Sequence, residues 1–461
     1  MPRLFISAAH KSSGKTMVSL GLVRALRRRG RVVAPFKKGP DYIDPLWLGA
    51  AAGRPCYNLD FNTQSPEAIR ALLGRHEGTA DIAVIEGTKG LYDGVAVDGS
   101  TSNAAVATLV EAPVALVVDC VGMTRGIAPL LQGYRHFPGA PRFAGVILNK
   151  VGGARHEAKL RAAVEAYTDL PVLGAVPMHD ALRVAERHLG LIPSNEQAAA
   201  EAVINGIADV VGASVDLDRL EDAARAAPAL AAAVPAEPAA AGGRVRLAIA
   251  RDSAFAFYYP DDLDALAAAG ADLVPFDTLS DPALPAGIDG VLIGGGFPET
   301  QMAALQANAS LRADLRARLD AGLPCYAECG GLMYLSRGIT WRGERFEMVG
   351  RVPAETVMHD RPRGRGYVRL RATPAAVPWR AEGDADGLLR AHEFHYSALE
   401  GLPPGSTFAY AVERGDGIDG AHDGLVLGNT VAGYTHLRHG WVRPFVDFVR
   451  AVKAKGPIGE R

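Results

Sequence analysis

Short apolar runs alternate with longer stretches of helical periodicity through the first half of the chain. Residues 4–8, 32–36, 82–85, 114–118, 144–148 and 172–176 each read as a buried strand. The segments between them are long enough for crossover helices, and in 17–26 the apolar residues recur at helical spacing. This order predicts an α/β fold: a parallel sheet covered by helices on both faces, with ligands bound beyond the carboxyl ends of its strands. From about residue 223 to 243 the chain turns to alanine and proline with almost no periodic bulky residues, which reads as a linker. The expected division is a first domain over 1–215, a linker over 216–243 and a second α/β domain over 244–461. In the second domain 245–250, 291–293 and 324–327 read as strands, and a helix starts near Asp261.

Composition narrows the class. The 461 residues are 48% hydrophobic and 22% charged, as in an ordinary globular protein, and the formal net charge of −2 offers no basic field to a nucleic acid. No apolar run of membrane-spanning length and no secretory leader pattern is present, so no membrane partner and a cytoplasmic location are expected. Four cysteines are too few and too unevenly placed for a disulfide framework, and Cys325 and Cys329 lack the partners of a zinc site.

Candidate chemistry gathers where strands end. Ala9-His10-Lys11-Ser12-Ser13-Gly14-Lys15-Thr16 joins the first strand to a helix and reads as a phosphate cradle, although Ala9 stands where such loops usually begin with glycine. Ser12, Ser13 and Gly14 would present backbone N–H groups, Lys15 would reach the terminal phosphates of ATP, and the Thr16 hydroxyl would hold Mg²⁺. After the second strand, Lys37 and Lys38 precede Asp41, Tyr42 and Asp44. Asp41 or Asp44 is a candidate metal ligand, Asp44 first, and Lys37 or Lys38 would meet phosphate or a substrate carboxylate, with Asp41 and Tyr42 as candidate substrate contacts. A solvated charged turn is the commoner fate of such residues, but the strand-end position favours function. Glu86, directly after a buried strand, is the candidate second Mg²⁺ contact, with Asp93 a further metal or substrate candidate. Asn149 and Lys150 suit a purine edge and ring. Arg187, within Glu186-Arg187-His188, suits a carboxylate, and equally a salt bridge at a helix end.

In the second domain Glu328-Cys329-Gly330-Gly331 follows a strand and resembles a nucleophile turn, which places Cys329 at a helix N-terminus. Backbone N–H groups of Gly295, Gly296 and Gly330 could form an oxyanion hole. The base would be a histidine, and spacing alone does not choose among His392, His395, His436 and His439.

Five stretches together carry a family resemblance: Lys38-Gly39-Pro40-Asp41-Tyr42-Ile43-Asp44-Pro45, Glu86-Gly87-Thr88-Lys89-Gly90-Leu91-Tyr92-Asp93-Gly94, Glu186-Arg187-His188-Leu189-Gly190-Leu191, Tyr326-Ala327-Glu328-Cys329-Gly330-Gly331 and His392-Glu393-Phe394-His395-Tyr396-Ser397. Over nearly its whole length the chain resembles the cobyrinic acid a,c-diamide synthases. The resemblance implies a synthetase domain like dethiobiotin synthetase, followed by a class I glutamine amidotransferase domain. It implies that Cys329 attacks L-glutamine and that ATP activates a tetrapyrrole carboxylate as an acyl phosphate for ammonia to displace. It also points to His436, within Tyr434-Thr435-His436, as the base. Many members continue His-x-His, whereas this chain has Arg438 there and a histidine at 439. Cobyrinate or its metal-free counterpart hydrogenobyrinate is the expected substrate. Sirohaem and nickel-sirohydrochlorin are the alternatives within the same chemistry, and a P-loop ATPase switch with a non-catalytic second domain is the alternative outside it. A homodimer is an open expectation.

Overall fold

The computed structural model describes residues 1–76, 78–182, 186–187, 190–196, 199–230, 243–375, 377–384 and 386–456; of 186–187 and 190–191 it describes the backbone alone. The chain forms two compact units, Met1–Pro235 and Ala236–Arg461.

In the first unit, elements follow in the order β1 (Arg3–Ala8), α1 (Lys15–Arg28), β2 (Val33–Lys38), α2 (Ile43–Ala52), β3 (Tyr57–Leu59), α3 (Pro66–Arg75), β4 (Ile82–Glu86), α4 (Asn103–Leu109), β5 (Val114–Asp119), α5 (Ile127–His136), β6 (Phe143–Val151), α6 (Ala154–Tyr167) and β7 (Val172–Pro177). A two-stranded ribbon, β8 (Glu186–Arg187) and β9 (Gly190–Leu191), and two helices, α7 (Ala200–Ser214) and α8 (Leu217–Arg225), complete it. The seven long strands form one sheet in the order β3-β2-β4-β1-β5-β6-β7, every pair parallel. Strand alternation divides the core in two: Leu4, Ile6 and Ala8 of β1 pack into one apolar layer and Phe5 into the other. All six strands expected from the apolar runs are present. The seventh, β3, is three residues long and gives too short a pattern to read.

The linker expected from residue 216 begins later than the composition suggested. Residues Leu217–Arg225 form α8, capped by Asp216 and burying Leu217, Leu220 and Ala224 against the first unit's core. Its nine residues carry only two bulky apolar side chains, too short a pattern to separate from the alanine- and proline-rich stretch that follows.

The second unit opens with β10 (Val245–Ala250), β11 (Phe255–Phe257), α9 (Pro260–Ala268), β12 (Ala271–Phe276), β13 (Gly290–Ile293) and β14 (Gly295–Gly296). It continues through α10 (Met302–Ala307), α11 (Ala309–Asp320), β15 (Cys325–Glu328), α12 (Gly330–Leu335), β16 (Gly338–Trp341), β17 (Glu344–Glu347) and β18 (Glu355–Met358). It closes with β19 (Gly364–Ala372), β20 (Leu388–His395), β21 (Ser397–Glu400), β22 (Phe408–Arg414), β23 (His422–Leu427), β24 (Thr430–Gly433) and α13 (Val442–Ala454). Nine strands form a mixed sheet, β12-β10-β13-β15-β24-β23-β22-β19-β20, parallel as far as β24 and antiparallel beyond it. Among the described residues, no helix is long and apolar enough to cross a membrane.

Candidate active sites

In the first unit the loop between β1 and α1 reaches the helix through Gly14 at φ 82°, a left-handed conformation. A Cβ there would lie 2.2 Å from Asn149 Nδ2, so the position also needs the missing side chain. Ser13 Oγ donates to His10 O (2.8 Å), and Asn149 Nδ2 donates to Ser13 O (2.8 Å). Lys150 Nζ donates to Ser12 O (2.9 Å) and to Asp119 Oδ2 (2.7 Å). The side chains of Asn149 and Lys150, expected at a purine edge and ring, thus brace the phosphate loop from β6. Asn149 Oδ1 is buried without a hydrogen-bond partner, an acceptor aimed at no protein donor.

Register brings the charged cluster together. Glu86 on β4 lies opposite Ile6 of β1 and Lys37 of β2. Its Oε1 accepts from Lys15 Nζ (2.9 Å), Thr16 Oγ1 (3.0 Å) and Lys37 Nζ (2.7 Å), while its Oε2 is buried without a partner. Burial opposes ionisation of Glu86, but Lys15 and Lys37 outweigh it and hold its carboxyl down at about 2. Lys37 also donates to Asp44 Oδ2 and lies 3.8 Å from Asp41. Burial works against its charge, yet Asp44, Glu86 and Asp41 raise its pKa well above the ordinary lysine value. Burial, together with Asp41, pushes Asp44 up to about 7 against the pull of Lys37. Lys38, pushed down to about 8 by burial, donates to Thr101 O (2.7 Å).

The remaining acids of this unit shape loops. Asp41 Oδ1 accepts from the N–H groups of Ile43 (2.9 Å) and Asp44 (3.1 Å), and the buried Tyr42 sits at the start of α2. Asp93 Oδ2 accepts from Gly90 N–H (2.9 Å). The side chain of Arg187 lies outside the described residues. Sequence reasoning passed over Asn103, a buried amide that holds the 88–90 loop through Thr88 N–H (3.0 Å) and Gly90 O (2.7 Å). Nothing in its alanine-rich neighbourhood signals that task.

The hard oxygen donors of Thr16, Glu86 and Asp44 suit a small divalent cation, and the unpartnered Glu86 Oε2 fits the same reading.

In the second unit Cys329 has φ 50° and ψ −102°, a strained left-handed conformation at the N-terminus of α12. Its N–H donates to Gly433 O (2.7 Å) and its carbonyl accepts from Met333 (3.1 Å), which fixes the turn at both ends. Three glycines allow the close approach: a Cβ at Gly331 would lie 2.3 Å from Ile293 O, one at Gly296 1.8 Å from Ala254 O, and one at Gly330 3.0 Å from Gly296 N. A Cβ at Gly295 would lie 2.6 Å from His436 Cε1. The glycine turn, the nucleophile turn and one histidine thus meet at a single point.

His436 is that histidine. Its side chain is hydrogen-bonded to Cys329, and its Nδ1 lies 3.4 Å from Glu328 Oε2. Burial disfavours its charge, but Cys329 and Glu328 outweigh burial and raise its pKa to about 10. His392 stacks on it with ring centroids 4.9 Å apart, and the backbones of the two residues are bridged. Burial, His436 and Arg438 push His392 well below its ordinary value, so the stacked ring is neutral. His439 is engaged elsewhere: Nε2 is 3.0 Å from Asp261 Oδ2 and Nδ1 is 3.1 Å from Asp262 Oδ1. Arg438 is buried against the same Asp261 (2.7 Å) and over the Tyr259 ring (4.6 Å). His395 stacks on Tyr434 at 3.8 Å. Of the four histidines left open by spacing, His436 alone is hydrogen-bonded to the cysteine among the described contacts.

Residues 5–192 match the CobQ/CobB/MinD/ParA nucleotide binding domain, and residues 246–440 match the CobB/CobQ-like glutamine amidotransferase domain. A protein of Magnetococcus marinus named cobyrinate a,c-diamide synthase is 47% identical over 446 residues, covering 95% of this chain and 94% of the relative. The chain belongs to the cobyrinate a,c-diamide synthase family. Family members of the same name from Syntrophotalea carbinolica and Methanosarcina acetivorans are 40% and 39% identical. The first alignment covers 97% of this chain and 99% of the relative; the second covers 95% and 93%. In this family an ATP-binding unit precedes a glutamine-hydrolysing one, and the two clusters described above occupy those two units.

Proposed function

We propose that the protein converts the a and c acetate carboxylates of cobyrinate or hydrogenobyrinate into amides, using ATP and L-glutamine. The observation that carries this reading is the strained Cys329 turn with His436 hydrogen-bonded to it, in a chain whose first unit holds a braced phosphate loop.

In the second unit, the Cys329 thiolate attacks the side-chain amide carbon of glutamine. Backbone N–H groups of Gly295, Gly296 and Gly330 would face the developing oxyanion, that of Gly294 being donated to the Tyr258 hydroxyl (2.9 Å). Protonated His436 then gives its proton to the departing nitrogen, so ammonia leaves and a thioester remains. Water attacks the thioester with His436 accepting its proton, the carbon–sulfur bond breaks to release glutamate, and the Cys329 thiolate is left again beside protonated His436.

In the first unit, a substrate carboxylate oxygen attacks the γ-phosphorus of ATP and ADP departs. Ammonia adds to the resulting acyl phosphate, inorganic phosphate leaves with the bonding electrons, and loss of a proton yields the amide. A free carboxylate cannot do this directly because oxide is a poor leaving group. Lys15 neutralises phosphate charge, and Asn149 Oδ1 offers an acceptor to an exocyclic amine of the base. Thr16, Glu86 and Asp44 would hold Mg²⁺, which offsets charge on the transferred phosphoryl group.

The test is mass spectrometry of products after incubation with ATP, Mg²⁺ and glutamine, with hydrogenobyrinate, cobyrinate and sirohaem offered separately. Two carboxyl-to-amide conversions on a corrinoid are expected. Conversion of sirohaem alone would move the substrate to that macrocycle, and ATP hydrolysis without change in any macrocycle would overturn the reading. Cys329→Ser should abolish glutamine use and keep ammonia-driven amidation, whereas Glu86→Gln should impair amidation from either nitrogen source.

A further inference from the structure

Glu328 occupies a position no regular strand would give it. Neighbouring strand residues point to opposite faces, so the residue before a nucleophile ordinarily faces away from it. The left-handed break at Cys329 cancels that alternation: Cys329 is hydrogen-bonded to the His436 ring while Glu328 Oε2 stands 3.4 Å from His436 Nδ1. The imidazole therefore lies against two residues adjacent in sequence.

The carboxylate is held for this geometry. Its Oε1 accepts from the Tyr326 hydroxyl and from Leu437 N–H (3.0 Å), which leaves Oε2 as the oxygen facing the ring. Neighbouring acids are committed elsewhere. Asp423 accepts from the N–H groups of Tyr434 (3.0 Å) and Thr435 (2.9 Å), and Asp261 takes Arg438 and His439. Stacked His392 is neutral and supplies no negative charge.

Resting on the reading of Cys329 and His436 given above, we propose that Glu328 is the positioning residue of the glutaminase site, orienting His436 through Nδ1 and stabilising its protonated form. This leaves Nε2 as the ring nitrogen for the thiol. The Nδ1 contact is longer than a well-formed charge-assisted hydrogen bond, and contacts of this kind commonly tighten only when substrate binds. The strain stored at Cys329 then has a second use: the turn that presents the nucleophile also brings its neighbour's carboxylate to the base.

The experiment compares Glu328→Gln and Glu328→Asp in the full chain. Glu328→Gln is expected to lower glutamine-dependent kcat by about 10²- to 10⁴-fold, the range seen when an orienting carboxylate or an oxyanion donor is lost from an acyl-transfer site. The KM for glutamine should stay within about twofold, because the carboxylate touches the base and not the substrate. Iodoacetamide alkylation of Cys329 at pH 7 should slow in parallel, a readout that needs no turnover. Ammonia-driven amidation should persist and reports that the chain is folded. Glu328→Asp keeps the charge and should fall between the wild type and Glu328→Gln in kcat; it carries the test alone if the glutamine variant fails to fold. An unchanged kcat and alkylation rate in either variant would overturn the proposal, as would equal losses in both. Glutamine hydrolysis by Cys329→Ser would instead sink the underlying nucleophile assignment, so the two failures are distinguishable.

Discussion

Lys37 and Glu86 face each other across adjacent parallel strands, with Lys37 Nζ 2.7 Å from Glu86 Oε1 and both side chains enclosed by the sheet and its helices. A buried pair of this kind contributes little net stability as a pair, but removing one partner strands the other's charge away from water. Glu86 keeps Lys15 (2.9 Å) and Thr16 (3.0 Å) as partners, so Lys37→Met should destabilise the first unit by less than the roughly 3 to 5 kcal/mol of a fully stranded charge, and the double variant Lys37→Met with Glu86→Gln by less than the two single losses summed. Urea titration followed by hydrogen-exchange mass spectrometry of β2 and β4 peptides would measure both. A loss at or above that range would show that Lys15 does not compensate the Glu86 charge.

At the phosphate loop, Gly14→Ala should abolish nucleotide binding. The new Cβ would meet Asn149 Nδ2 at 2.2 Å and would sit at φ 82°, so the loop must leave its shape or displace its brace. Isothermal titration with ATP and Mg²⁺ checks this; affinity within threefold of wild type would count against the loop's assigned role.

Gly331→Ala should separate the two chemistries. Its Cβ would press on Ile293 O at 2.3 Å and push α12 away from the glycine turn, disturbing the Cys329 geometry. Glutamine-driven amidation is expected to fall at least about a hundredfold, as for loss of an oxyanion donor, with ammonia-driven amidation retained. Steady-state assays with each nitrogen source decide it.

His439 predicts a pH dependence of stability. Burial lowers its pKa, but hydrogen bonds to Asp261 and Asp262 outweigh burial and raise it to about 9, above its ordinary value near 6.5. A raised histidine stabilises the fold fully below the unfolded value, and that contribution is lost as pH climbs through about 9. Because the side chain is 41% exposed, screening limits the effect to about 0.5–1 kcal/mol. His439→Asn, which tolerates the local φ of 60°, should be less stable than wild type at pH 6 and nearly equal to it at pH 10. Thermal melts across that range give the comparison, and a constant difference would refute the assignment.

The sequence made the sheet of the first unit readable because its strands are buried on both faces and so appear as continuous apolar runs. The phosphate loop and the Cys329 turn were readable because glycine marks both. The start of α8 was not, since its buried apolar stripe is Leu217, Leu220 and Ala224 alone, too short a pattern beside the alanine- and proline-rich stretch that follows. The base could not be chosen from spacing: His436 and His439 are three residues apart, and only the fold turns one toward Cys329 and the other toward Asp261. Glu328 was invisible for a sharper reason. Strand alternation argues against it, and the backbone conformation at Cys329 that reverses the argument leaves no trace in composition or period.

In the first unit, Lys37, Glu86, Asp119 and Asn149 all stand at the same edge of the sheet, the carboxyl ends of β2, β4, β5 and β6. The opposite edge carries the connections that enter the strands, among them 29–32, 53–56, 110–113, 137–142 and 168–171. The exposed ones, 29–32 and 137–139, are accordingly the places to graft a reporter or to open new termini by circular permutation. Cutting the chain there leaves the strand ends that bear the charged cluster and the braced loop in register, whereas the same operation at the other edge would dismantle them.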